Sequence, residues 1–286
     1  MHLLITTYKY LIVFNLVKKK WEVVHKEEGI YYGITKYKDL IIVGKRNNPN
    51  KTDEDMAKYS GSFLILNQNL KIIDEIKPTF PIRDLHGINV FDNKLWVTCS
   101  FDNMVAIYDF NTNQWSYWYP NEEANTISIV DNSFINNLQK NKIRGQYHFN
   151  TITFDNKIIN LMAHNFGDSE VYYFNYDNLK FIKKISLGTK AHNLWLNDDE
   201  IFTLSGDGYI KSNKGFSFQI EGYPRGYFKN DNKIFIGVCH NLERKDRILD
   251  SFFVRTYDHS YKNNVNYYFK ELGGVTDLYF FDNLEF

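Results

Sequence analysis

His86-Gly87-Ile88-Asn89-Val90-Phe91-Asp92-Asn93-Lys94-Leu95-Trp96-Val97 holds two short apolar runs on either side of an Asp-Asn turn. Apolar runs flanking such a dipeptide signal a β-hairpin. The pattern returns as His148-Phe149-Asn150-Thr151-Ile152-Thr153-Phe154-Asp155-Asn156-Lys157-Ile158-Ile159. A shorter copy runs His192-Asn193-Leu194-Trp195-Leu196-Asn197-Asp198-Asp199-Glu200-Ile201-Phe202. Copies without the histidine begin at Tyr32, Arg225 and Val275. Two more strand-like runs follow a hairpin, as in Met104 to Asp109 and Gln114 to Trp118, or Glu170 to Asn175 and Lys180 to Ile185. Four antiparallel strands repeating every roughly 40 to 50 residues describe a β-propeller blade.

The repeats amount to five complete blades and a split one. The last strand, Val275 to Phe281, has no blade after it, and the N-terminal runs Leu3 to Thr7, Tyr10 to Leu16 and Trp21 to His25 supply its partners. Closing the ring with strands from both ends removes open sheet edges. The expectation is an all-β, six-bladed propeller in one domain, 1–286. Five or seven blades are the alternatives, because the short fourth blade (about Ala191 to Ile220) and the split blade are the least marked. The connection from Pro120 to Gln146 breaks the regularity, and Ser133 to Lys140 within it has the composition of a short helix. Connections of that length often carry function.

Composition narrows the partners. Lys+Arg and Asp+Glu both total 34, so the formal net charge is zero, which argues against a general nucleic-acid or anionic-membrane binder. The apolar N-terminal stretch is interrupted and lacks a basic region and a small-residue cleavage site, so no secretory signal is expected. No apolar run is long enough to span a bilayer. Cys99 and Cys239 form no disulfide or metal framework, and a reducing cytoplasm is the expected location. The oligomeric state is left open. No phosphate-binding loop, dinucleotide fingerprint or serine nucleophile elbow is present.

In a propeller the innermost strands line a central channel. His86, His148 and His192 begin innermost strands of consecutive blades, Arg225 the next and Tyr32 the first. Second strands return to the same face and bring Lys45-Arg46, Cys99-Ser100, His164-Asn165, Ser205-Gly206 and Cys239-His240. The loops Asn47 to Ser60 and Asn241 to Ser251 open there too. Loops over a rigid scaffold are where ligands bind. Three readings of the histidines compete. His86, His148 and His192 bind one divalent metal (Zn, Mn or Fe) with an open position for water. Alternatively, His148 and His192 do acid–base work on a substrate whose anionic group Arg225 holds, with Arg83, Asn150, Asn193, His164 and His240 as further contacts. In the third reading the histidines bond to neighbouring backbone and only pack the channel mouth. Asp84 is a candidate carboxylate partner of the histidines, or a loop cap. Arg244, Lys245 and Arg247 form a basic rim or a solvated loop.

Four stretches carry a resemblance: Leu85-His86-Gly87 with Leu95-Trp96-Val97; Tyr147-His148-Phe149-Asn150; Ala191-His192-Asn193 before Leu194-Trp195; and Gly222-Tyr223-Pro224-Arg225-Gly226 with Phe235-Ile236-Gly237 and Gly273-Gly274-Val275-Thr276-Asp277. Together they are similar to an uncharacterised bacterial propeller family, a domain of unknown function. The third departs from that family's His-Ser-Pro-like form. The resemblance implies a propeller with an important top face and no known activity. Two functions are therefore expected as alternatives: a hydrolase or lyase acting on a small polar or sugar-like substrate, or a non-catalytic module binding a glycan or protein on the same face.

Overall fold

The computed structural model describes residues 1–27, 29–46 and 60–281, apart from the side chains of Arg244 and Lys245. The 47–60 loop and the Arg244–Lys245 part of the rim thus lie almost wholly outside the described residues. The remainder forms six antiparallel sheets, each one blade of a six-bladed propeller. The innermost strands of blades 1 to 5 are Ile30–Tyr37, Leu85–Phe91, Phe149–Asp155, His192–Asn197 and Tyr223–Lys229. Blade 6 is composite. Its innermost strand is Val275–Phe281, which pairs with His2–Thr7, followed by Leu11–Asn15 and Lys20–His25.

The sequence dictates this layering. Second strands such as Leu40–Arg46 and Ile234–Cys239 are apolar on both faces and buried almost throughout, because each is covered by a blade on either side. Outermost strands alternate or turn polar; Lys20–His25 is mostly exposed. Between blades the large rings interlock. Trp96 and Trp118 of blade 2 pack on Phe149 and Phe174 of blade 3 in one cluster, and all four are fully buried. Each such side chain contributes about 1.5–3 kcal/mol of burial. Trp115 is also buried, whereas Trp195 is half-buried and stacks on Tyr227 of the next blade at 3.7 Å.

The long connection after blade 2 is ordered. Ser128–Ile129 adds a fifth strand to that blade, and helix α1 (Asn132–Lys140) follows, capped by the Asp131 side chain on the Phe134 amide. Phe134 and Leu138 anchor the helix in the core. Among the described residues no helix is long and apolar enough to cross a membrane.

Each innermost strand carries a β-bulge near its start. In blades 1, 2 and 5 the extra pair is Tyr32-Gly33, His86-Gly87 and Arg225-Gly226. By strand register and by the side of the blade each neighbour packs on, the equivalents elsewhere are Asn150-Thr151, His192-Asn193 and Thr276-Asp277. His86 and His192 therefore do occupy the same place. His148 does not: it lies two residues before Asn150, at the place of Asp84 and Lys190. These three share a left-handed backbone, with φ of 54°, 50° and 45°. The Asp-Asn dipeptides mislead: Asp92-Asn93 is itself the turn of its hairpin, whereas Asp155 still belongs to the strand and the turn is Asn156-Lys157, so that, counted from turns of equal length, His148 lies two positions earlier than His86.

Candidate active site

The bulges turn Tyr32, His86, His192 and Arg225 out of the sheets toward the channel. Room for them comes from the facing second strand. A Cβ on Gly44 would lie 2.3 Å from the Tyr32 carbonyl, and one on Gly237 would lie 2.3 Å from that of Arg225. Two residues further along the second strands a second ring forms: Arg46, Ser100, His164, Cys239 and, from the composite blade, Tyr8, all buried. The first ring, with Tyr8 and His164 of the second, lines a cavity of about 270 Å³ at the mouth of the channel. Its walls are Tyr8, Tyr32, His86, His148, His192 and Arg225, each under 8% exposed, while Lys190 and Asn241 lie open at the rim.

Hydrogen bonds between blades cross the channel at Asn193 and Asp277. The Asn193 side chain accepts from the Gly226 amide at 3.0 Å and donates to Asp277 at 3.3 Å. The other Asp277 oxygen accepts from the Ile34 amide at 3.1 Å. Asn150 points away from the cavity, donating to the Ala191 carbonyl at 2.7 Å. Asn193 and Asn150 thus tie neighbouring blades together instead of lining the cavity.

Of the other expected site residues, His86, His148, His164, His192 and Arg225 converge. Ring centroids of His148 and His164, and of His164 and His192, are 5.1 Å apart, and those of His86 and His148 are 4.7 Å apart. Arg83 is fully buried away from the cavity, paired with Asp102 and donating to the Asn141 carbonyl. It holds the long connection in place. His240 stands largely exposed, 2.6 Å from Asp250, and does not line the cavity. Cys99 and Cys239 are free and buried, and burial raises both thiols, Cys239 to about 11.

The polar groups have defined roles. His192 Nδ1 lies 2.9 Å from the Lys190 carbonyl, which can only accept, so Nδ1 carries the proton. Its Nε2 is then a buried lone pair, with no hydrogen-bond partner among the described residues. His164 is the reverse: its Nδ1 accepts from the Phe166 amide at 3.1 Å, so in the neutral ring Nε2 is a donor. Burial, with Arg225 beside it, drives His192 well below the ordinary histidine range, and burial drives His164 down to about 3. The pair presents one acceptor and one donor, both uncharged.

Asp84, His86 and His148 each offer a ligand atom, and the three atoms lie within 4.8 Å of one another. In this group Asp84 stands where the sequence suggested His192. The carboxylate is already engaged. One oxygen lies 2.7 Å from Arg46 Nη2 and the other pairs with Arg144, which the long connection delivers. Burial pushes the Asp84 carboxyl up, but Arg46, with His86, His148 and Arg144 around it, holds it well below the ordinary carboxylate range. His86 Nδ1 faces the Asp84 carbonyl and the Ser100 hydroxyl, both at 2.9 Å. A divalent ion here would sit against two guanidiniums that already share the one carboxylate of this described group, so the residues fit a metal poorly.

The remaining cations face the cavity. Arg225 and Arg247 pair with no carboxylate among the described residues; tyrosines hold them. Arg225 Nη1 donates to Tyr32 Oη at 3.1 Å, and Arg247 Nη1 to Tyr8 Oη at 2.9 Å. The two hydroxyls meet at 2.6 Å. Tyr8 was not among the candidates read from the sequence. It follows directly on a first strand ending at Thr7, and aligning that strand with the other second strands puts it beside Ser100 and His164.

No protein-family model matches the chain, and no curated protein matches it. Solved structures do. One is a chain of the nidogen/laminin complex, with TM-score 0.62 and 9% identity over 97% of both chains. Another is a putative 6-phosphogluconolactonase from Bacteroides fragilis, with TM-score 0.58 and 12% identity over 98% of both. At such identities the likeness is one of fold. The family resemblance read from the sequence is borne out for the six-bladed propeller alone.

Proposed function

We propose that the protein is a hydrolase or lyase acting on a small hydroxylated anion, such as a sugar acid or sugar phosphate, at the mouth of the channel. One observation carries this: Arg225 and Arg247 line the cavity, and neither pairs with a carboxylate among the described residues. Arg225 is buried, so a charge without a carboxylate partner among the described residues favours an anion beside it. His192 Nε2 accepts from a substrate hydroxyl and His164 Nε2 donates to one. The cavity is slightly smaller than the usual range for small-molecule sites, which disfavours a protein loop or a long glycan. The reading needs no metal. The two buried free thiols agree with a reducing cytoplasm.

The test is calorimetric titration with sugar acids, sugar phosphates and uncharged sugars, together with a turnover screen of the same panel. Anionic members bind and uncharged ones do not, and Arg225→Met weakens binding by about ten- to a hundredfold, the worth of a lost charged hydrogen bond. Equal affinity for charged and uncharged members would overturn the reading. Anion binding with no turnover across the panel would favour the binding-module alternative.

A further inference from the structure

Tyr8 and Tyr32 come from different blades, and their ring centroids are 5.8 Å apart. Both residues line the cavity. Along the line Arg247–Tyr8–Tyr32–Arg225 each phenol oxygen receives a guanidinium N–H from its outer side. Only one proton fits between two oxygens 2.6 Å apart. In a fully protonated pair the second hydroxyl proton has no place on this line and must point elsewhere. With one proton removed every position is filled: the two oxygens share the remaining proton, and each keeps its guanidinium donor. The arrangement is complementary to a singly ionised pair.

We propose that Tyr8, sharing a proton with Tyr32, is the base of this site and takes a proton from the bound anion. The proposal rests on the anion-binding reading above. In the step a C–H or O–H bond of the substrate breaks, its proton goes to Tyr8 Oη, and its electron pair stays on the substrate, facing Arg225 and Arg247. The histidines suit this task less well, since His192 and His164 are uncharged hydrogen-bonding groups fixed by backbone contacts. Electrostatics agree. Burial pushes the Tyr8 hydroxyl up, but the charges of Arg225 and Arg247, with the Tyr32 hydrogen bond and Arg46, bring it down to about 8. Tyr32 moves the other way, to about 12, through burial and its charged neighbour Tyr8.

Ultraviolet titration of the whole protein tests this without a known substrate. One tyrosine per chain should ionise near pH 8, against about 10 for ordinary tyrosines, and the transition should vanish in Tyr8→Phe. Inorganic sulfate, whose charge is constant over this range, should move that transition upward. By reciprocity its affinity should fall as pH rises through the transition in the wild type and stay level in Tyr8→Phe. Sulfate binding by Tyr8→Phe below pH 7 certifies its fold. If that variant does not fold, Arg247→Gln, which keeps both phenols, should move the transition up. With a substrate from the panel, Tyr8→Phe should lose about 10²- to 10⁴-fold in kcat with KM little changed. No tyrosine ionising below about pH 10, or undiminished turnover by Tyr8→Phe, overturns the proposal even where sulfate binds. An ionisation near 8 with no sulfate binding instead sinks the anion pocket and leaves the acidic tyrosine standing.

Discussion

Asp84 shows how much one side chain organises. Its two oxygens hold Arg46 and Arg144, one from blade 1 and one from the long connection, and no part of the side chain is exposed. Asp84→Asn would leave two guanidiniums facing an amide in a buried setting. A loss of about 3–5 kcal/mol is expected, as for breaking any buried ion pair from one side, and urea denaturation measures it. The residue types of this mouth were legible in the sequence: His86, His148, His192 and Arg225 all line the cavity. Their partners were less so. Arg144 reaches Asp84 from 60 positions away, and no local spacing announces such a contact. Asn150 and Asn193 read as ligand-holding or turn-bonding amides, and only the neighbouring backbone shows that they tie blades together.

Among the elements, the bulged inner strand does most to build the site. Its extra pair needs space opposite, and Gly44 and Gly237 provide it under Tyr32 and Arg225. In Gly237→Ala the new methyl would meet the Arg225 carbonyl, and the strand must move to admit it. Overpacking of this kind costs about 1–3 kcal/mol. Sulfate affinity should fall with it, since Arg225 moves too. Equilibrium unfolding and calorimetry on the same variant check both effects, and a stability loss with unchanged affinity would show that the arginine is placed by something else. Strands and hairpins were readable because apolar runs and Asp-Asn turns are local signals. The bulges were not, since a two-against-one pairing depends on register with another strand. That is why His148 seemed to match His86 while sitting two residues out of step.

At the scale of the molecule, the ring is closed through blade 6 and bolted across the channel by Asp277. Burial raises the Asp277 carboxyl to about 7, although it accepts from the Leu278 and Ile34 amides and Asn193. A carboxyl that holds its proton more tightly when folded contributes stability that is fully present below about pH 4 and is lost as pH rises toward 7. His86, His164 and His192 have the opposite sign: held low in the fold, they add stability as pH rises toward 6.5 and lose it on acidification. The two trends oppose each other between pH 4 and 7. Urea unfolding of wild type and Asp277→Asn across that window separates them, and the variant should gain stability with pH more steeply. The six-fold count and the closure by both ends were evident from the repeat, because periodicity survives where individual contacts do not.

Tyr8 and Arg247, in contact at the rim of one cavity, are separated by 239 positions of chain. A ribosome adding about 5–20 residues per second takes tens of seconds to travel from one to the other. Throughout that interval the first blades can fold, yet the pocket lacks a wall. A nascent or truncated chain thus lacks one wall of the cavity, and the proposed anion site is complete only when the fifth blade arrives beside the first strand.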